Sequence, residues 1–279
     1  MRRLTPLIGK TRLNSLTPAA VERAYAELQA NGLSGRSVVQ AHTVLHNALK
    51  KALQWGLLGR NPTEAVSVPR PERHEMKTFD EDQVRALFEA TKEDPLHALW
   101  VLLTTTGLRL GEALGLRWDD VDFVNRRLVV RRALQRQSGS GLVFVEPKTS
   151  RSRRTVHFPE GTSEVLHAHR VLQLEAKFRL ETNWEDQNLV FCRDGGSPID
   201  PTQVSQKLFR ILTRAGLPQI WVHDLRHTAA TLHLARGENP KVVQELLGHS
   251  NISITMDTHS HVTPVMHAAA AAKMQSLFT

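Results

Sequence analysis

The chain has 279 residues, with 36 Lys and Arg against 28 Asp and Glu and a formal net charge of +8. That length accommodates two domains, and 41% hydrophobic with 23% charged residues excludes wholesale disorder and fibrous repeats. No apolar run approaches the roughly 18 residues of a membrane span, the start lacks a signal-peptide stretch, and one cysteine, Cys192, excludes an internal disulfide or a cysteine-built zinc site, so a cytoplasmic protein without membrane attachment is expected.

Thr17-Pro18 caps a helix whose Val21, Ala24, Tyr25 and Leu28 share one face. Asn31 to Gly35 breaks it, and a second helix runs from Ser37 to Trp55 with Val38, Leu45, Ala48, Leu49, Ala52 and Leu53 at helical spacing. Residues 1–74 hold 11 Lys and Arg against 4 Asp and Glu, so the positive excess sits at the front. Val68 to Arg73 is a proline-set linker, which predicts domains over 1–70 and 77–279 joined by 71–76. Helices are then expected from Phe79 to Ala90 and from Leu96 to Thr106. Leu128–Val130, Leu142–Val145 and Arg154–Phe158 predict a three-stranded antiparallel sheet. It would carry a second basic knot, in which nine Lys and Arg between Arg126 and Arg154 face the single acid Glu146. Further helices are expected over 162–180, 201–215, 224–236, 240–247 and 264–278, the last with an apolar stripe of Val265, Met266, Ala269, Ala270, Met274, Leu277 and Phe278. The predicted fold is mainly α with a small antiparallel sheet. Phosphates attract such basic patches without sequence information, so nucleic acid is the candidate partner, against the plainer reading of a solubilising surface.

Four short segments carry chemistry: Thr106-Gly107-Leu108-Arg109-Leu110-Gly111-Glu112, Pro147-Lys148-Thr149, His223-Asp224-Leu225-Arg226-His227 and Leu247-Gly248-His249-Ser250. Each alone is weak. In this order, with a basic hairpin between the first and third, they resemble the catalytic domain of the tyrosine recombinases, the phage-integrase family, over about Leu13 to Val265. The resemblance implies a two-domain clamp, a helical core-binding domain and a mixed catalytic domain, closed on duplex DNA with inverted core half-sites. It also implies a monomer when free, a homotetramer on DNA, and no metal or cofactor. The first domain begins late relative to the family's N-terminal region, so an arm-site domain is expected to be absent and the chain to be a fragment.

The implied roles follow phosphoryl-transfer chemistry. Arg109 and Arg226 would place charge-assisted bonds on the non-bridging oxygens. Lys148 would protonate the leaving 5′-oxygen, and His223 and His249 would donate to the phosphate or shuttle a proton. Glu112 would orient Arg109, and His227 would support from behind. Arg36, Lys50, Lys51, Arg151, Arg153 and Arg154 would hold DNA phosphates. His223 and His227 are also spaced for zinc, with His233 beyond, but Arg226 would intrude and no Glu follows His223 as in H-E-x-x-H. Trp221 reads as core.

One position departs from the family. The nucleophilic tyrosine is expected about ten residues after His249, where this chain reads Met256-Asp257-Thr258-His259-Ser260-His261-Val262. The only tyrosine, Tyr25, lies on the apolar face of a front helix. Three readings compete: a recombinase that binds DNA without cleaving it, His259 attacking phosphorus as a nucleophile, and His259 activating water. An imidazole nitrogen ends roughly 2 Å short of a phenolic oxygen, and a misplacement of about 1 Å costs on the order of a hundredfold, which disfavours the last two. A DNA-binding regulator or architectural protein on a recombinase scaffold is the alternative function.

Overall fold

The computed structural model describes residues 3–69, 77–146 and 153–248. The chain divides into two compact units, Met1–Glu75 and Met76–Thr279.

The first unit holds α1 (Thr5–Ile8), α2 (Pro18–Ala30) and α3 (Gly35–Gln54). The Thr17 side chain accepts the Ala20 N–H and Pro18 opens α2, and Ser34 caps α3 by accepting the Ser37 N–H. Val21, Ala24, Tyr25 and Leu28 of α2 pack on Val38, Leu45 and Leu49 of α3, as the apolar spacing predicts. Ala48, expected on that face, is exposed. Tyr25 is 2% exposed and its hydroxyl pairs with His42 Nδ1 at 3.1 Å. Burial pushes the phenol up to about 12, the signature of a packing residue.

The second unit opens with α4 (Glu81–Thr91), α5 (His97–Thr106) and α6 (Leu110–Leu114). Asp80 and Gln83 form a reciprocal capping box on α4. Helix α5 is apolar on every side and buried almost throughout, so the other elements pack around it. The strands follow as β1 (Val121–Asp122), β2 (Arg127–Val130), β3 (Ala133–Gln137), β4 (Gly141–Val145) and β5 (Arg154–His157). Then come α7 (Glu160–Leu180), α8 (Pro201–Ala215), α9 (Val222–Ala235) and α10 (Pro240–Leu247).

The mainly helical fold matches the expectation, but the sheet needs correction. Strands β1, β2 and β5 form one antiparallel sheet, with Leu128 opposite Val156 and Val130 opposite Arg154. The 142–145 segment does not join it. It pairs as β4 with β3 in a separate hairpin, Leu134 opposite Phe144. Strand β3 escapes the sequence pattern because Ala-Leu-Gln-Arg-Gln buries only Leu134. A Cβ on Gly111 would lie 2.6 Å from the Leu134 carbonyl oxygen, so glycine there lets the α6 backbone sit against β3. The expected helix over 264–278 lies outside the described residues, and so do Lys148, Arg151, His249 and His259. Among the described residues no helix is long and apolar enough to cross a membrane.

Candidate active site

Helix α5 stops at Gly107, whose φ of +63° is the left-handed value glycine tolerates. The chain therefore turns at once into Arg109, the N-cap residue of α6. Three residues on, Glu112 is 7% exposed and its carboxylate accepts the Arg109 backbone N–H at 2.9 Å and Arg109 Nη1 at 2.8 Å. One acid thus fixes both the start of the helix and the direction of the guanidinium.

Arg226 lies on α9 and is 2% exposed. Its Nη1 donates to the Gly107 carbonyl at 2.6 Å across 119 residues of sequence, and its Nη2 donates to the Leu247 carbonyl. These oxygens end α5 and α10, where helix dipoles concentrate negative charge, so a buried cation is satisfied there without a carboxylate. Burial, and behind it the charge of Arg109, brings the guanidinium down to about 9, which leaves it a cation at neutral pH.

His223 stands one turn earlier on α9, and its ring meets that of His227 edge-on with centroids 4.8 Å apart. Partial burial and the charges of Arg226 and Arg109 lower His223 below the usual imidazole value, and burial with His223 lowers His227 to about 4. Both shifts favour the neutral imidazoles. A bound anion would reverse the effect on His223 and raise it toward a proton-donating value. The structure therefore brings together Arg109, Glu112, His223, Arg226 and His227. Among the described residues no group of three His, Cys, Asp or Glu is placed to hold a metal ion.

Two expectations fail on burial. Trp221, read as core, is 77% exposed, because it is the N-cap residue of α9 and is held by its backbone N–H donating to Asp224 at 2.7 Å. Arg154, read as an exposed DNA contact, has a side chain only 8% exposed. Its Nη1 and Nη2 donate to the two oxygens of Glu112 at 3.0 and 2.9 Å, and its Nε donates to the Leu246 carbonyl at 2.8 Å. The sequence held a signal for this, since strand alternation puts Arg154 on the same face as buried Val156. Its neighbour Arg153 has a side chain 60% exposed and paired with Glu146 at 2.7 Å.

The second basic knot is also less bare than its composition suggests. Arg126 pairs with Glu160, Arg127 with Asp122, Arg131 and Arg132 with Asp120, and Arg136 with Asp200. All these acids lie outside the window in which the excess was counted. In the first unit, by contrast, the 20 residues of α3 contain no acid, and Arg36, Lys50 and Lys51 are exposed on it. Lys51 Nζ sits 5.7 Å from the centre of the Trp55 ring.

The Glu112 cluster sets an acid limit on the second unit. Burial alone would raise this carboxyl, but hydrogen bonds and charge from Arg154, then from Arg109, hold it down to about 2. A depressed carboxylate stabilises the fold above its unfolded value near 4.5 and ceases to do so as pH falls toward 2. The loss is on the order of 3 kcal/mol across that window. Denaturant unfolding followed from pH 5 to pH 3 should show this decline in the native chain and a flatter one in Glu112→Gln. Equal slopes would remove Glu112 from the acid transition.

Comparison with known proteins gives the family. Residues 77–264 match the phage integrase family. A tyrosine recombinase XerC-like protein of Caldanaerobacter subterraneus is 33% identical over 96% of this chain and 73% of its own length. An integrase of Saccharopolyspora erythraea is 26% identical over 99% of this chain and 75% of its own. Among solved structures, the Tn1549 transposon integrase in complex with a circular intermediate DNA shares the fold at a TM-score of 0.82, with 23% identity over 98% of this chain and 92% of that one. A lambda integrase dimer bound to a core site does so at 0.66, with 17% identity over 93% and 85%. Motifs, fold and relatives converge, and the chain belongs to the phage integrase family.

Proposed function

We propose that this chain is a site-specific DNA recombinase. It binds duplex DNA as paired protomers on inverted core half-sites, assembles into a tetramer there, and acts in the cytoplasm. The observation that carries the reading is the meeting of Arg226 with the Gly107 carbonyl, which brings Arg109 and Arg226 from distant parts of the chain to one place beside His223. Two guanidinium groups and an imidazole held there suit a phosphodiester, whose non-bridging oxygens gain charge as the phosphorus becomes pentavalent. Lys148 protonates the leaving 5′-oxygen and His249 adds a donor to the phosphate. The names of the relatives, recombinases and integrases, and the DNA complexes of the structural neighbours support the same reading.

Arg36, Lys50 and Lys51 on the acid-free helix α3, with Arg151 and Arg153, contact phosphates and position the protein. With the other cations of the basic front segment they make at least six phosphate contacts, which give a slope of log affinity against log salt steeper than about −5. Filter binding or fluorescence anisotropy on a core duplex at rising salt measures it. A slope near zero would overturn the recombinase reading.

His259 favours a second reading. With histidine at the nucleophile's place, the chain binds and bends its sites without cutting them, and serves as a repressor or architectural protein. Both readings keep the same DNA-binding surfaces, and they part on whether His259→Tyr restores cleavage.

A further inference from the structure

Arg154 and Arg109 compete for one buried carboxylate, and the outcome decides what Arg109 can offer a ligand. The Arg154 fork covers both Glu112 oxygens, and Arg109 adds its backbone N–H to Oε2 and its Nη1 to Oε1. All four bonds fill the roughly four acceptor positions of a carboxylate. Arg109 is consequently left with a single side-chain bond among the described residues, and its side chain is 42% exposed against 8% for Arg154.

We propose that Arg154 is a positioning residue for Arg109, which by occupying Glu112 keeps the Arg109 guanidinium from folding onto that acid and so presents its other N–H groups to a phosphate. The inference deepens the recombinase reading and rests on its assignment of Arg109. Without Arg154, Glu112 would be a buried carboxylate short of two donors, and the nearest cation able to supply them is Arg109. A fork-to-fork pair of Arg109 with Glu112 would neutralise the charge needed by the ligand.

The same side chain ties this pair to the end of α10. Arg154 Nε holds the Leu246 carbonyl while Arg226 Nη2 holds that of Leu247. Gly248, in the left-handed conformation at φ +65°, closes the helix directly against it, since a Cβ there would lie 3.0 Å from Arg154 Nη1. One arginine on β5 therefore fixes the acid behind Arg109 and the helix end that Arg226 also grips.

Inorganic phosphate is a suitable probe, because its binding needs neither the nucleophile nor a known DNA site. Arginine side-chain N–H resonances of the full-length, nitrogen-15-labelled chain are titrated with phosphate, and Arg109 is assigned by its loss in Arg109→Lys. Phosphate should shift the Arg109 signal in the native chain, and Arg154→Ala should weaken that apparent affinity by about tenfold or more, the effect of withdrawing one charge-assisted bond. Adding Glu112→Gln to Arg154→Ala should bring affinity back to within about threefold of native, because the acid that captures Arg109 is then neutral. A residue that only stabilises the fold predicts no such recovery. Should Arg154→Ala fail to fold, Arg154→Lys keeps a buried cation but covers one oxygen, and should fall between the two.

Unchanged phosphate affinity in Arg154→Ala or Arg154→Lys, or a double variant no better than Arg154→Ala, would overturn the proposal. Salt-dependent duplex binding is scored in parallel. If it persists while the Arg109 response ignores position 154, Arg154 has no positioning role and the recombinase reading stands. If it too is absent in the native chain, the recombinase reading itself fails.

Discussion

Arg226→Ala, introduced together with His259→Tyr, is expected to slow DNA cleavage by at least about a hundredfold while leaving duplex affinity within about threefold. The guanidinium is fixed by the fold itself, because the Gly107 and Leu247 carbonyls hold two of its nitrogens and packing leaves it 2% exposed. Such a cation is preorganised, and it stabilises the charge of a pentavalent phosphorus more than that of the ground-state diester. No ion pair joins it to a carboxylate among the described residues, so the positive potential it shares with Arg109 is available to the ligand. Arg226→Lys should be nearly as slow, since one ammonium cannot span two helix ends and reach a phosphate as well. Single-turnover cleavage of a nicked duplex, with binding measured in parallel, reads both quantities. Near-normal cleavage with retained affinity would remove Arg226 from the reaction.

How far the sequence alone reached depended on whether the partners of each residue lay nearby in the chain. The helices were legible because Val21, Ala24, Tyr25 and Leu28, or Val38, Leu45 and Leu49, repeat at helical spacing on one buried face. The four chemistry-bearing motifs were legible only together, through their order and their resemblance to a known family, and the structure supplies the backbone reason for their glycines. Gly107 and Gly248 end helices with positive φ, and Gly111 lets α6 approach β3. Partners far away in the chain were not legible. Asp200 neutralises Arg136 from 64 residues downstream, so a count over one basic window overstated the free charge. Arg153 and Arg154 are adjacent and identical in type, yet one pairs at the surface and the other is buried against Glu112, 42 residues earlier. Strand β3 was missed for a related reason. Its place is set by α6 lying over it rather than by its own side chains, only one of which is buried.

Position 259, the nucleophile's place on the recombinase reading, decides between the two functional readings. Arg109, Glu112, His223 and Arg226 are already grouped, with Arg226 held by two helix-end carbonyls and His223 lowered by burial and by the two guanidinium charges. On the recombinase reading the site lacks only its attacking oxygen. His259→Tyr should therefore restore cleavage, and removal of a covalent nucleophile commonly costs on the order of a millionfold in rate, far more than an imidazole ending roughly 2 Å short could recover. The direct test is incubation with a nicked suicide duplex carrying the cognate site, followed by denaturing electrophoresis. The account predicts a covalent 3′-phosphotyrosyl adduct with His259→Tyr and none with the native chain. An acid-labile adduct with the native chain would instead establish His259 as the nucleophile, and an inert His259→Tyr protein that still binds its site would contradict the recombinase reading in favour of the DNA-binding regulator.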